Sequence, residues 1–184
     1  MIAEEVVAMT FRSATMRDLD RIEEIYRRIH DREESGHTTI GWIRSIYPTR
    51  ATAETAIRRG TMYVEESHGA VVAAAKIDQE QVPEYADAPW TVNAPADEVL
   101  VLHTLVVDPA ESGKGCATAF VRFYEDCALQ RGCRYLRMDT NERNAAARAL
   151  YRKLGYSEIG IVPCVFNGIP GVQLLCLEKT LADR

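Results

Sequence analysis

The 184-residue chain lacks the features that mark secreted and membrane proteins. Its N-terminus, MIAEEVVAMTF, has no basic segment followed by a long apolar stretch, so we expect no signal peptide. No apolar run approaches the ~20 residues that a membrane-spanning helix requires. We therefore expect a cytoplasmic protein that has no membrane partner.

Cysteine is scarce and follows no ligand or disulfide pattern. The chain has five cysteines, an odd number, and no C-x-x-C pair. This spacing disfavours both a structural zinc site and a disulfide framework. We predict no bound metal, and we interpret the cysteines as mostly small core residues of a protein in a reducing compartment.

Basic residues are in the minority. The 22 Lys and Arg residues face 27 Asp and Glu residues, which gives a formal net charge of −5. Because no dense Lys/Arg run is present, we do not expect a nucleic-acid partner. An acidic protein can favour a cationic substrate such as an amine. The length and the 47% hydrophobic content fit one globular domain over residues 1–184.

Strand and helix patterns alternate along the chain, which predicts an α/β protein with a partly parallel sheet. Strand patterns cover residues 8–15, 61–66, 70–78, 98–107, 133–139, 156–162 and 171–179. Helix patterns cover residues 16–35, 50–60, 116–132 and 144–155, and several of these end at a glycine.

A long proline-containing segment, residues 79–98, separates the predicted hairpin from the following strand. Loops of this length in a compact domain are often functional. Its two large aromatic residues, Tyr85 and Trp90, either anchor the loop to the surface or belong to a substrate lid.

The stretch VVDPAESGKGCATAF, residues 106–120, joins a predicted strand to a predicted helix through a Gly-Lys-Gly turn. The turn is either a tight connection alone or a phosphate-binding loop. A P-loop would need glycine at Asp108 and Ser or Thr at Gly115, and both positions fail. A dinucleotide-binding fingerprint would need glycine at Thr118, and the acidic residue expected to close the next strand is missing.

A pyrophosphate site fits these residues better. A strand that stops at Pro109 and a turn that opens a helix leave backbone N–H groups unpaired at the positive end of the helix dipole. Such a terminus binds phosphate groups. The small residues Gly113, Gly115 and Ala117 let a phosphate approach the main chain.

A second motif lies in NAAARALYRKLGY, residues 144–156. Asn144, Ala147 and Tyr151 fall at i, i+3 and i+7 and so share one helix face. These three residues make a poor core stripe. Ala146, Leu150 and Leu154 make a better one, which leaves the first face for a ligand.

Together the segments LHTLVVDPAESGKGCATAF and NERNAAARALYRKLGY resemble the two diagnostic motifs of the GCN5-related N-acetyltransferase superfamily. Looser matches extend the resemblance over about residues 8–180. It implies a splayed, mostly antiparallel mixed β-sheet flanked by helices, with acetyl-CoA as co-substrate in the splay between the strands that end at Val107 and Asp139.

The resemblance also implies a set of cofactor-binding residues. Main-chain groups of Leu105, Val106 and Val107 would pair with the pantetheine arm, and Asn144 and Ala147 would contact it from the helix. The pyrophosphate would lie on the turn formed by Ser112, Gly113, Lys114, Gly115, Cys116, Ala117 and Thr118. Ser112 stands where the superfamily commonly has Gln or Arg, so one phosphate contact is lost or passes to Lys114.

The same resemblance places Tyr151 where the superfamily often has the acid that protonates the leaving thiolate. The base is less defined. His103 is the first candidate because histidine titrates near neutrality. Glu98 is the second, a water chain without a dedicated base is the third, and His37 stays open.

The acceptor is expected to be a small-molecule or peptide amine, with Trp42 and Tyr47 in its pocket and VPCVFNGIPG opposite. Each aromatic ring could equally belong to the core. A non-catalytic acyl-CoA sensor and a nucleotide-binding module remain alternatives, and the resemblance leaves a homodimer open.

Overall fold

Strands and helices follow each other in the order that the sequence predicts. A computed structural model describes residues 9–182, so Ala8 of the first predicted strand and most of the N-terminal segment lie outside the described residues. The strands are β1 (Thr10–Ser13), β2 (Met62–Ser67), β3 (Ala70–Asp78), β4 (Val99–Val107), β5 (Tyr135–Asn141), β6 (Ser157–Phe166) and β7 (Ile169–Thr180). The α-helices are α1 (Leu19–Glu34), α2 (Arg50–Arg58), α3 (Cys116–Arg131) and α4 (Ala145–Lys153).

The seven strands form one mixed sheet in the order β1-β2-β3-β4-β5-β7-β6. Only the pair β4 and β5 is parallel among the described strands, and the other neighbours are antiparallel. This confirms the predicted α/β class with a mostly antiparallel mixed sheet. The final hairpin is longer than predicted, because β6 is an edge strand and tolerates Pro163, which cannot donate a backbone hydrogen bond.

The helices cover both faces of the sheet. Ala74 of β3 packs in the cluster of α1 and α2, whereas Ala73 and Ala75 pack in the cluster of α3. Because successive strand residues point to opposite faces, the two helix pairs lie on opposite sides. The α1 stripe predicted from the sequence is buried there, with Ile22 and Ile25 fully enclosed.

The sheet opens between its two parallel strands. Val99–Leu102 of β4 pair with Tyr135–Met138 of β5, and within residues 9–182 the register continues no further. Beyond that point β4 stays with β3 and β5 stays with β7. The predicted splay between these two strands is therefore present.

Strand β4 is also irregular where the splay begins. Its register against β3 shifts between Ala74 and Lys76, so that Thr104 and Leu105 lie opposite a single residue. Thr104 has a φ of 53°, a left-handed conformation that a β-branched residue rarely adopts. Such bulges re-aim side chains next to active sites.

The loop between β3 and β4 is held against the sheet by its aromatic rings. Tyr85 is buried and lies edge-on to Trp90 at 5.0 Å between ring centroids. The Trp90 indole nitrogen donates to the Tyr85 carbonyl at 2.8 Å, and the Arg137 guanidinium lies over the Trp90 ring at 4.1 Å. This packing favours the anchor interpretation over the lid.

The cysteines are mostly core residues, as predicted. Four of them are buried, Cys164 is half-buried, and all five are free thiols. Among residues 9–182, no helix is long and apolar enough to cross a bilayer. In the same range, no group of three or more His, Cys, Asp or Glu side chains is arranged to hold a metal ion.

Candidate active site

A cavity of about 950 Å³ opens where β4 and β5 separate. Its walls come from both strands, from α1, α2 and α4, from the segment between α1 and α2, and from the β6–β7 hairpin. The predicted site residues that line it are Trp42, Tyr47, His103, Leu105, Val106, Val107, Ser112, Asn144, Ala147 and Tyr151. The fold thus brings the two sequence motifs to one space.

The β4 edge that faces β5 supplies unpaired main chain along one wall. His103, Val106 and Val107 pair with β3 on the other side, and the residues from His103 to Val107 have no partner in β5. An extended ligand that lies along this edge could add to the sheet like a strand. The splay therefore suits an elongated arm such as pantetheine.

The Gly-Lys-Gly turn lies outside the cavity lining, immediately after Ser112. Gly113 and Gly115 have φ values of 80° and 87°, which only glycine adopts readily, and a Cβ at either position would meet no atom within 4 Å. Ala117 and Thr118 follow in the first turn of α3, whose leading N–H groups have no carbonyl partner within the helix. The turn presents these amides on an open surface, as a pyrophosphate site requires.

The side chains of Lys114 and Cys116 in this turn do not point freely to solvent. The Lys114 ammonium pairs with Glu111 at 3.0 Å on the exposed surface. The Cys116 side chain is buried, so only its backbone faces the turn. Burial, with the nearby Glu65, raises the pKa of the Cys116 thiol to about 11.

Asn144 acts first as the N-cap of α4. Its Oδ1 accepts from the Ala147 amide at 3.3 Å, and its Nδ2 donates to Thr140 Oγ1 at 3.1 Å. The sequence suggested a ligand contact and did not detect this capping role. Asn144 still lines the cavity, and its amide can reach a ligand through its remaining lone pair and hydrogen.

The face of α4 that carries Tyr151 is less separate from the core than the sequence suggested. Tyr151 is 7% exposed and packs in the main core cluster, whereas Ala146 is exposed. The Tyr151 ring lies edge-on to Tyr156, with centroids 6.2 Å apart. Tyr151 therefore both completes the core and borders the cavity.

The Tyr151 hydroxyl is available to a ligand. Within residues 9–182 it makes no hydrogen bond, although the ring is buried and packs against Tyr156. Burial, with a contribution from Asp139, raises the pKa of Tyr151 well above its ordinary value. The phenol is thus fully protonated at neutral pH, which is the form that a proton donor needs.

His103 is fixed by an acidic neighbour on β3. Its Nε2 lies 3.1 Å from the Glu80 carbonyl oxygen and 3.3 Å from Asp78 Oδ1. Burial opposes ionisation of Asp78, but His103 and Lys76 outweigh it and lower the pKa of Asp78. If Nε2 carries the proton in these contacts, Nδ1 is the nitrogen left to accept one.

Asp139 is a cavity carboxylate that the sequence analysis missed. It stands at the point of β5 where pairing with β4 has ended, and its Oδ2 accepts from the Tyr85 hydroxyl at 2.7 Å. Burial raises the pKa of Asp139, against the opposing effects of Tyr85 and His103. Its place near the carboxyl end of a strand beside the splay was the signal that could have indicated it.

The side of the cavity where the sequence predicts the acceptor is aromatic. Trp42 and Tyr47 line it with centroids 6.0 Å apart, and Phe166 of the β6–β7 hairpin lies on the lining as well. The Tyr47 hydroxyl is hydrogen bonded to Thr104 Oγ1 at the bulge of β4. Burial raises the pKa of Tyr47 to about 12, so it stays a neutral phenol.

The two remaining base candidates differ in location. Glu98 ends a short 3₁₀ turn before β4, at the end of the strand remote from the splay, and it does not line the cavity. Glu98 is near the cofactor strand in sequence, but the fold places it outside the cavity, so it is a poor candidate for the base. His37 does line the cavity, where its Nδ1 contacts the Ser35 hydroxyl at 2.8 Å.

A family model described as the acetyltransferase (GNAT) family matches residues 19–156 of this chain. The chain belongs to that family. The match includes the splayed strands, the glycine turn and the whole of α4. The resemblance inferred from the two motifs is thus confirmed.

Similar proteins support the same family. An uncharacterized N-acetyltransferase of Methanocaldococcus jannaschii is 32% identical over 76 residues, which cover 41% of this chain and 34% of that relative. The matched region thus spans about a third of the relative's length.

Solved structures share the fold over almost the whole chain. A GNAT-family acetyltransferase of Streptococcus agalactiae has a TM-score of 0.77 and 23% identity, with 95% of this chain and 96% of that chain covered. The putative acetyltransferase yncA of Salmonella typhimurium, solved with its cofactor acetyl-CoA, has a TM-score of 0.69 and 19% identity, with 96% of each chain covered.

Proposed function

We propose that this protein transfers an acetyl group from acetyl-CoA to a primary amine by direct attack within a ternary complex. The observation that carries the proposal is the single cavity that joins the free edge of β4, the Tyr151 hydroxyl and His103. Family membership and the acetyl-CoA bound to the Salmonella protein of similar fold support the choice of co-substrate. The free buried thiols suit the cytoplasm, where we place the reaction.

The residues present fit acetyl-CoA in three places. The β4 edge at Leu105–Val107 offers main-chain groups to the pantetheine arm, and Ala147 leaves room for that arm beside α4. The amides of Gly113 and of Gly115 to Thr118 offer donors to the pyrophosphate, whereas the Lys114 amide donates to the Glu111 carbonyl at 3.3 Å. Bound acetyl-CoA supplies an activated acetyl group and a thiolate leaving group.

His103 would prepare the acceptor. An alkylammonium group must lose a proton before its nitrogen can attack, and Nδ1 of His103 would take that proton while Asp78 stabilises the resulting imidazolium. Asp139 would attract the ammonium into the cavity and orient it. Trp42 and Tyr47 would surround the acceptor and offer cation–π contact.

The chain would then stabilise the transition state. A backbone N–H near Val106 would donate to the negative charge that develops on the thioester oxygen. Tyr151 would give its phenolic proton to the departing sulfur as the carbon–sulfur bond breaks. The nitrogen loses its second proton to water as the amide forms. Of the two protons that leave the nitrogen, one returns through water to Tyr151 and the other enters the solvent, so that an ammonium group and acetyl-CoA give an amide, the CoA thiol and one proton.

Thiol release in the presence of amines tests the proposal. The purified protein is incubated with acetyl-CoA and a panel that contains polyamines, amino acids, aminoglycosides and lysine or N-terminal peptides, and free thiol is followed. We expect at least one amine to accelerate thiol release in proportion to enzyme concentration. Tight CoA binding without turnover on any member would instead support the non-catalytic sensor.

A further inference from the structure

A buried carboxylate stands at the base of the glycine turn. Asp108 directly follows β4 and is 1% exposed. Its Oδ1 accepts from the Ala110 amide at 3.0 Å and from Arg28 Nη1 at 3.1 Å. Its Oδ2 accepts from the same Arg28 nitrogen at 2.9 Å and from Arg21 Nη2.

Both arginines come from α1, seven positions apart, so they project from the same helix face. Glu24 lies between them and pairs with each. Arg21 Nε also donates to the Val71 carbonyl at 3.0 Å, and the Asp108 amide donates to the Val72 carbonyl at 2.8 Å. The network therefore ties α1, β3 and the end of β4 together at Asp108.

Asp108 is charged despite its burial. Burial alone would raise its pKa, but the Ala110 amide, Arg21 and Arg28 together lower it. A buried ion pair often stabilises a fold no better than apolar side chains of the same size. Fold stability alone is thus a weak explanation for the ion pairs of Asp108 with Arg21 and Arg28. Their directional hydrogen bonds instead fix the position of the chain at Asp108.

The side chains of the glycine turn pack against little, and its own backbone bonds, from Ser112 to Pro109 and from Lys114 to Glu111, stay within the segment that follows Asp108. Ser112, Gly113, Lys114 and Gly115 are exposed, and neither glycine has packing that a Cβ would meet within 4 Å. Between Asp108 and this exposed stretch lies only the 3₁₀ turn Pro109–Glu111, which contains the Ala110 amide. The Glu111 amide also returns to the Asp108 carbonyl at 2.8 Å.

We propose that Asp108, held by Arg21 and Arg28, is a positioning residue that sets the pyrophosphate-binding amides of the glycine turn. The inference rests on the proposed function, because it presumes that this turn binds CoA. By fixing Ala110, the carboxylate fixes the start of the turn relative to α1 and the sheet. Asp108 itself does not touch the ligand.

Two substitutions of opposite charge separate positioning from simple electrostatics. Asp108→Asn removes one negative charge near the turn, and Arg28→Gln removes one positive charge. If these residues acted through their field on the pyrophosphate, the first variant would bind CoA more tightly and the second more weakly. If they position the turn, both variants bind CoA more weakly, by roughly tenfold or more.

Asp18→Asn is the matched control. Asp18 is also a buried carboxylate that pairs with an arginine and caps a turn, but its partners are Arg12 of β1 and Thr15, and none of its bonds involves the segment from Asp108 to Gly115. We expect it to lower stability and to leave CoA affinity within about twofold of wild type, since independent sites act additively.

The measurement is CoA titration by calorimetry on wild type and the three variants, with denaturant unfolding to show that each is folded. Weaker CoA binding by both Asp108→Asn and Arg28→Gln, but not by Asp18→Asn, supports the proposal. Opposite shifts, or affinities equal to the control, overturn it. If Asp108→Asn does not fold, Arg28→Lys decides, because it keeps the charge but cannot bond both Asp108 and Glu24 as the guanidinium does. A field effect then predicts CoA affinity equal to wild type, whereas positioning predicts weaker binding. Failure of wild type to bind CoA overturns the proposed function itself.

Discussion

The Tyr151 hydroxyl is the group whose removal separates a catalytic tyrosine from a structural one. Tyr151→Phe keeps the buried ring and its contact with Tyr156. We expect turnover to fall by ~10²–10⁴, the usual contribution of a general acid, while the KM for acetyl-CoA changes little. Steady-state thiol release across pH measures both constants.

Tyr156→Phe serves as its matched control. Tyr156 lies in the same core cluster, but its hydroxyl is bonded to Glu125 at 3.1 Å. This variant should lose some stability and keep its turnover. A Tyr151→Phe enzyme within about twofold of wild type would remove Tyr151 from the mechanism and leave water as the proton source.

Glu65 on β2 is predicted to make stability depend on pH. It is fully buried, and burial raises its pKa to about 7, against the opposing effect of the neighbouring Cys116 thiol. The folded state therefore holds a proton that the unfolded state releases at lower pH. Stability present near pH 4 should fall as pH rises toward and through 7, by on the order of 3 kcal/mol.

Glu65→Gln should remove that fall. Its free energy of unfolding, measured by denaturant titration at pH 5 and pH 8, should change less between the two values than that of wild type. Glu66→Gln is the control, because pairing with Arg12 lowers the pKa of Glu66 instead of raising it. This variant should keep the fall in stability between pH 5 and pH 8. An unchanged pH slope in Glu65→Gln would show that Glu65 ionises in the fold at little cost.

At the scale of elements, the first turn of α3 is where cofactor binding and helix stability can be separated. Ala117 is half-buried in that turn, where a glutamate is tolerated because the helix dipole favours negative charge. We expect Ala117→Glu to fold and to lose CoA binding, because its carboxylate would occupy and repel the pyrophosphate site. Calorimetric titration with CoA measures the loss.

Ala117→Gln controls for side-chain size. It fills similar space without the charge and should retain more CoA affinity than Ala117→Glu. If Ala117→Glu is folded and binds CoA as wild type does, the phosphates lie elsewhere and the glycine turn is only a connection.

Element positions were largely predictable because their signals are local. Apolar spacing indicated α1, and Gly132 and Gly155 marked the ends of α3 and α4. The end of β6 was predicted at Val162, before Pro163, whereas the strand continues to Phe166, since the sequence does not say which strand lies at the sheet edge. The bulge at Thr104 had no signal, because threonine does not favour a positive φ.

At the scale of the whole molecule, the site depends on contacts that no local pattern encodes. Arg21 meets Asp108 across 87 positions of sequence, and Tyr85 meets Asp139 across 54. The motifs indicated Tyr151 and the glycine turn, but Asp139 and the Asp108 network follow only from the packing of α1 and the β3–β4 loop on the sheet. For Asn144 the motif indicated a place near the ligand but did not indicate that its side chain caps α4.

The central claim is that the splay between β4 and β5, with the turn at Gly113–Thr118, is a coenzyme A site. Ligand-dependent thermal unfolding of wild type tests it most directly. A ligand that binds only the folded state stabilises it by mass action, by about 2.7 kcal/mol at a hundredfold excess over Kd. We predict that CoA and acetyl-CoA raise the melting temperature in a saturable way, and that ATP and NAD at the same concentrations do not. Equal shifts with ATP, or no shift with CoA, would contradict the account.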